Sequence, residues 1–273
     1  MAVTGSGTEQ DPYIVTTYDE LVEKAAESGV YVKIGNNINI TDEYPDGDMP
    51  TLTIRSHIDG DGKSISNWYS TSNSEVIHKY GSTTHVYNLH FKNIYVPVLK
   101  DFMAISDSNA DYHFISCTFS GVLRSGLFDA YGSDGSLANF SSCSFYIKSS
   151  TNDAVLSSDN WGHAGLRYCS IKVRGTSQSA KVIDVGRWGS SVDSCYIDSN
   201  IPLGSSDKFQ NCVCYVDSTA SFSVDSDGSN PLNIINTTHS PNVTIGSSGG
   251  FAGVADEYWL DVTYLSSIGF NAG

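Results

Sequence analysis

The sequence predicts an all-β protein: a single-stranded, right-handed parallel β-helix with an N-terminal capping helix and a short C-terminal helix or tail. Three observations carry this. Cysteines at 117, 143, 169 and 195 are separated by three gaps of 26 residues. Each sits in the same frame, with an apolar residue three before it and another two after it, as in Phe114-Ile-Ser-Cys117-Thr-Phe119. The segments around them are rich in Val, Ile, Phe, Tyr, Thr and Ser, which suit strands, and their polar stretches lack a helical period.

A fixed period of this length signals a repeat architecture. Leucine-rich repeats would need regularly placed leucines, and a four-stranded propeller blade needs about 40 residues. A 26-residue coil of two or three short strands instead stacks on its neighbours at the strand-pairing distance of about 4.8 Å. A fifth, shorter copy reads Phe209-Gln-Asn-Cys212-Val-Cys214, and Asn93 and Asn236 are expected to replace Cys at the two ends of the ladder. Stacked Cys side chains fill a tight apolar interior. Asn at the ends can hydrogen-bond up and down the stack. Free thiols are expected rather than disulfides, since a cytoplasmic origin keeps them reduced.

The elements follow in order. Residues 1–16 form an N-terminal segment, and residues 17–245 form the solenoid. Its capping helix spans 17–28: Thr17 and Glu20 have capping-box spacing, Gly29 closes the helix, and Leu21, Val22 and Ala25 cover the first coil. Such a cover is needed because an open β-helix end is a template for aggregation. Val30–Ile34 starts that coil, and Asp59-Gly-Asp61-Gly reads as a turn, lacking the further ligands of a calcium loop. A second recurring motif, with Asp107, Asp129, Asp184 and Asp225 at its end, precedes each Cys or Asn by 10 to 14 residues and is read as another strand. The variable spacing places an irregular turn between the two strands. Residues 246–273 are read as a C-terminal cap or oligomerisation tail, with Trp259, Tyr264, Leu265 and Phe270 as subunit contacts.

The balance of 30 acids against 15 bases, net −15, repels a polyanion and argues against nucleic-acid partners. No stretch reaches the roughly 18 apolar residues of a membrane span, so no membrane insertion is expected. The opening Met1-Ala-Val-Thr-Gly-Ser-Gly shows no basic region followed by an apolar run, and synthesis in a host cytoplasm is expected.

The order Gly7-Thr-Glu-Gln-Asp-Pro-Tyr-Ile-Val15, a short helix, the Cys/Asn coils and the ending Asp261-Val-Thr-Tyr-Leu-Ser-Ser-Ile-Gly-Phe270 resembles pectate-lyase-like β-helix proteins of gut bacteriophages and prophages. Some of these are labelled head fibres or tail-spike-like proteins. The resemblance covers nearly the whole chain. It implies a virion location, other virion proteins as partners and a homo-oligomer, with a trimer favoured. The expected role is that of a structural or adhesive virion surface protein such as a head fibre, decoration or spike subunit. A polysaccharide depolymerase and a prophage-encoded glycan-binding module remain alternatives.

One surface strip is the candidate site. Trp161 and Arg187 lie 26 residues apart, hence one above the other, with Asp159 and Trp188 beside them. An indole flanked by Arg suits a sugar ring or a cation–π contact. Asp129 and Asp184 add carboxylates of the kind that glycosidases pair. Together, Trp161, Arg187, Trp188, Asp129, Asp159 and Asp184 are candidates for binding host-cell glycans, with no catalytic set assigned. The histidines at 57, 78, 85, 90, 113, 163 and 239 show no metal-ligand spacing, and neither a metal nor a cofactor is expected.

Overall fold

Alternating apolar and polar residues give each coil strand one inward and one outward row of side chains. A computed structural model of the chain describes residues 3–245 except 48, 71–75, 80–82, 97–101, 106–110, 131–136, 150–153, 159–162, 178–179, 185–190, 206–207, 211, 217–219, 223–232, 236–237 and 240–242. The chain winds repeatedly through three long parallel sheets, and a further two-stranded parallel sheet pairs Ala220–Phe222 with Val243–Ile245. The first has ten strands, from Tyr13–Val15 to Asn233–Ile235. The second has nine, from Ile38–Asn39 to Thr238–His239, and the third seven, from Leu52–Ile54 to Gly204–Ser205. Each strand pairs with its counterparts in the coils before and after, so this is the parallel β-solenoid that the 26-residue period predicts.

The apolar residues flanking the cysteines form interior columns. Phe91, Phe119 and Phe145 stack face to face at centroid separations of 4.8 and 5.3 Å, and Ile171 and Ile197 continue the row. Phe114 and Phe140 stack beside them at 5.0 Å. Edge-to-face contacts of Phe119 with Phe114 at 5.8 Å and with Phe140 at 6.0 Å tie the two columns together. Complete burial of each such ring stabilises the fold by about 1.5–3 kcal/mol.

Cys117, Cys143, Cys169, Cys195 and Cys212 are free and buried. Cys143 Sγ donates to the Phe114 carbonyl of the previous coil at 3.3 Å, and Cys169 Sγ to that of Phe140 at 3.4 Å. Burial pushes the Cys195 thiol well above its ordinary value, with the neighbouring Cys169 thiol adding to the effect. The ladder needs one correction: Asn93 is not in it. The amide of Ser144 donates to the Cys117 carbonyl and that of Thr118 to the Leu89 carbonyl, so Leu89 holds the place below Cys117. Asn93 sits on an outward bulge, where Lys92 and Asn93 together face Ser120. Its expected chemistry is present at that other corner: Asn93 Nδ2 donates to Asn67 Oδ1 at 3.0 Å, and Asn67 Nδ2 to Asn39 Oδ1 at 2.7 Å. Asn236 lies outside the described residues.

The corner before Leu89, Cys117, Cys143, Cys169 and Cys195 is a single residue in the left-handed region. Asn88, Ser116, Ser142, Tyr168 and Ser194 have φ between 47° and 57°. Each non-glycine residue there costs on the order of 1–2 kcal/mol, and only Asn88 carries a residue type that signals it.

The N-terminal helix spans Tyr18–Ala25. Leu21 and Ala25 are fully buried and Val22 packs on the core, as the covering role requires. Thr17 caps it, accepting from the Glu20 amide at 3.2 Å. The Glu20 carboxylate reaches back to the Thr16 amide at 2.7 Å, one residue earlier than a standard capping box. Glu43, from the short helix Ile40–Glu43, accepts from the amides of Tyr18 and Asp19 at 2.6 and 3.1 Å, so the second coil satisfies the helix's open donors. Tyr13–Val15 already pairs with Tyr31–Ile34, which places the start of the solenoid before residue 17. Residues 246–273, with Trp259, Tyr264, Leu265 and Phe270, lie outside the described residues.

Candidate functional site

The outward row of the first sheet collects rings. In register from the N-terminal end it reads Tyr31, His57, His85, His113, Asn139, Gly165 and Ser191. Centroid separations are 4.6 Å for Tyr31–His57, 5.3 Å for His57–His85 and 4.7 Å for His85–His113, with the planes within 18° of parallel. Coil stacking sets this spacing, since adjacent strands lie about 4.8 Å apart. Nδ1 of His57 and Nδ1 of His85 are 3.3 Å apart, so one ring carries its proton there and the other accepts. Asn139 Nδ2 lies 3.5 Å from His113 Nδ1 and prolongs the ladder. Because each ring lies against its neighbour, the column offers solvent a row of polar edges.

The adjacent outward row gives this ladder a wall: Lys33, Asp59, Tyr87, Ile115, Ser141, Arg167 and Asp193. Two cavities open along it. The first, about 360 Å³, is lined by Glu9, Tyr31, Lys33, His57, Asp59 and Tyr87 among others. Burial raises the Tyr87 phenol above its ordinary value, helped by Tyr31, so its hydroxyl stays a donor. Lys33, which lines the cavity, also hydrogen-bonds Asp61 and holds that carboxyl below its usual range. Asp59 accepts from the Asp61 amide at 2.9 Å, which makes Asp59–Gly62 the turn that the sequence indicates. The second cavity, also about 360 Å³, is lined by His113, Asn139, Ser141, Gly165, Arg167 and Asp193 among others. It exists because Gly165 interrupts the ladder: a Cβ there would stand 2.5 Å from Asn139 Oδ1. Arg167 pairs with Asp193 at 3.7 Å. The two cavities share one face, and the seven stacked positions span roughly 29 Å at about 4.8 Å per coil.

No protein-family model matches the sequence, and no curated protein sequence matches it. Among solved structures, the crystal structure of a "putative immunoglobulin A1 protease" from Bacteroides ovatus superposes with a TM-score of 0.50. The match covers 92% of this chain and 83% of that chain at 13% identity. A likeness at that identity shows the fold alone.

The site differs from the strip that the sequence points to. Trp161, Arg187, Trp188 and Asp159 lie outside the described residues, as do Asp107 and Asp225. Asp129 and Asp184 do share one register position of the third sheet, as their equivalent places imply, with Ser157 between them. They are two coils apart, and Ala104 pairs with Asp129 on its other side. The Asp184 carboxylate is also engaged by Lys181 at 2.8 Å. The histidines at 57, 85 and 113 are not scattered. Their spacing of 28 and 28 residues is a coil period, and that is the signal by which the sequence could have revealed the ladder. Among the described residues, no three His, Cys, Asp or Glu side chains are grouped so as to hold a metal ion.

Proposed function

We propose that this protein is an adhesive surface solenoid that binds a neutral, hydroxyl-rich glycan lengthwise along the outer face of its first sheet. The observation that carries the reading is the ladder Tyr31–His57–His85–His113 bordered by two cavities. Polar edges repeating at the coil spacing match the repeat of an extended sugar chain, in which each ring presents hydroxyls to donors and acceptors alike. Asn139, Ser141, Asp59 and Tyr87 supply further polar partners at the floor and wall. The net charge of −15 favours a neutral ligand over an anionic one at this face. The resemblance to phage β-helix proteins supports reading such a surface as part of a virion, in an oligomeric fibre, decoration or spike subunit that contacts host-cell glycans.

A second reading, depolymerisation, is favoured by one observation: Glu9 and Asp59 line the same cavity. Release of reducing ends, lost in Glu9→Gln and Asp59→Asn, would establish it.

The test is affinity electrophoresis against a panel of neutral polysaccharides. His57→Ala/His85→Ala and the cavity-filling Gly165→Leu are expected to abolish retardation, while Trp161→Ala/Trp188→Ala retains it. Binding that survives loss of the ladder and disappears with the tryptophans would move the site to the strip. Mass spectrometry of purified phage particles from the parent genome tests the virion setting, and absence from particles refutes it.

A further inference from the structure

The contacts of the histidine ladder restrict where its protons can sit. Nδ1 of His57 and Nδ1 of His85 are 3.3 Å apart, a contact that needs one hydrogen and has no room for two. Asn139 Nδ2 carries only hydrogens, so at 3.5 Å it donates to His113 Nδ1, and that ring keeps its proton on Nε2. The middle ring, His85, lies face to face with His57 at 5.3 Å and with His113 at 4.7 Å. Tyr87, from its own strand, stacks beside it at 5.6 Å.

The charged groups around the ladder are placed unevenly. Lys33 follows Tyr31 by two residues and Asp59 follows His57 by two. Arg55 precedes His57 by two, and Asp111 precedes His113 by two. Glu9 lines the first cavity together with Tyr31, His57, His85 and Tyr87. Arg167 and Asp193, paired at 3.7 Å, line the second together with His113. The strand of His85, Thr84–Tyr87, carries no carboxylate. The two outer histidines thus each have an acid two residues away, whereas the middle one has an imidazole on either side.

We propose that this ladder is an acid-sensitive switch, which holds one extra proton and is dismantled by the next. Imidazoles ordinarily gain charge between about pH 8 and pH 5. The first proton fits: with His57 charged beside Asp59, the contact to His85 becomes a charge-assisted N–H···N bond. A second proton has no such place. On His85 it would set two hydrogens against each other across 3.3 Å and two charges 5.3 Å apart. On His113 Nδ1 it would remove the acceptor that Asn139 uses. Like charges at these separations lie inside the screening length of about 8 Å at physiological salt. Once the rings part, each imidazole is free to charge, so the second and third protons enter together. The parted rings bind two more protons than the stacked ones, so the array is intact at neutral pH and lost as pH falls. The rings face outward and can swing into solvent while the buried phenylalanine columns hold the coils. The first sheet then presents separate cations in place of stacked polar edges. The switch does not depend on what that face binds.

The test is an NMR titration of the whole protein with labelled histidine rings, from about pH 8 to about pH 5. An isolated site takes about two pH units to go from one-tenth to nine-tenths charged, whereas the paired uptake is expected to be complete within about one. The signals of Phe91, Phe119 and Phe145 are expected to stay in place throughout. In His85→Asn the remaining histidines lie two coils, about 10 Å, apart and are expected to titrate as separate single sites. His90→Gln removes a histidine of the second sheet, hydrogen-bonded to Thr118 at 2.8 Å, and is expected to keep the steep step. Three independent single-site curves in the unaltered protein overturn the proposal. So does a steep step that survives His85→Asn or vanishes in His90→Gln. Phenylalanine signals that move with the histidines also overturn it, since acid would then be unfolding the coils themselves. If His85→Asn fails to fold, the curve of the unaltered protein decides alone.

Discussion

Phe119 stands at the crossing of both aromatic columns, so Phe119→Ala measures how strongly the stack holds the solenoid. The ring is fully buried, face to face with Phe91 and Phe145 and edge-on to Phe114 and Phe140. Truncation to Ala removes roughly 100–150 Å² of buried apolar surface, about 3 kcal/mol at ~25 cal/mol per Å². The rigid, in-register coils above and below cannot close the hole, so a cavity cost and lost ring–ring attraction add to this. The expected loss is about 4–5 kcal/mol, at the upper end for such substitutions. The assay is urea unfolding followed by circular dichroism, with Tyr146→Ala on the neighbouring coil as the control. Tyr146 is 53% exposed and should cost within about 0.5 kcal/mol. A loss below about 1 kcal/mol for Phe119→Ala at unchanged m-value would refute the continuous aromatic column.

Two further predictions concern the ladders. Asn93→Ala gives up the hydrogen bond to Asn67 and puts a β-carbon residue of poor left-handed tolerance at φ 53°, an expected cost of about 1–2 kcal/mol in thermal or urea unfolding. Asn93→Gly should cost less, and the reverse order would remove Asn93 from the outward bulge. Cys117, Cys143, Cys169, Cys195 and Cys212 should resist iodoacetamide in the native protein and label fully in denaturant, because their complete burial keeps the reagent from the sulfur atoms. Peptide mapping that finds native labelling faster than global unfolding would contradict the closed interior.

Much of the architecture was legible in the sequence because a solenoid converts chain separation into spatial stacking. Twenty-six residues between cysteines means one coil, and the residues three before and two after each Cys had to point inward together. The start of the capping helix was legible for a local reason, since Thr17 and Glu20 are chemical signals within one turn of chain, but its end was not: the helix stops at Ala25 with Ala26 as its cap, three residues before Gly29. Placements that depend on how coils of unequal length align were not legible. Asn93 looked like a ladder member because it occurs in a similar apolar context. A bulge that sets two residues against one turned it outward and gave its place to Leu89. The left-handed corners at Ser116, Ser142, Tyr168 and Ser194 carry no sequence signal, since the stack imposes a conformation that these residues would not choose.

The same division holds for the surface. The sequence determined that outward residues repeat coil by coil, and with it that some row of like side chains would exist. Which residues share a row was decided by the tertiary structure. The first-sheet coils advance by 28 residues at the histidines and by 26 at the cysteines, and only the hydrogen-bonded register absorbs that difference. Backbone pairing brings Tyr31, His57, His85 and His113 into one stack and sets Gly165 next to Asn139 to leave a cavity. Periodicity fixes the coil, but side chains become a site only when interstrand hydrogen bonds fix which coil positions meet.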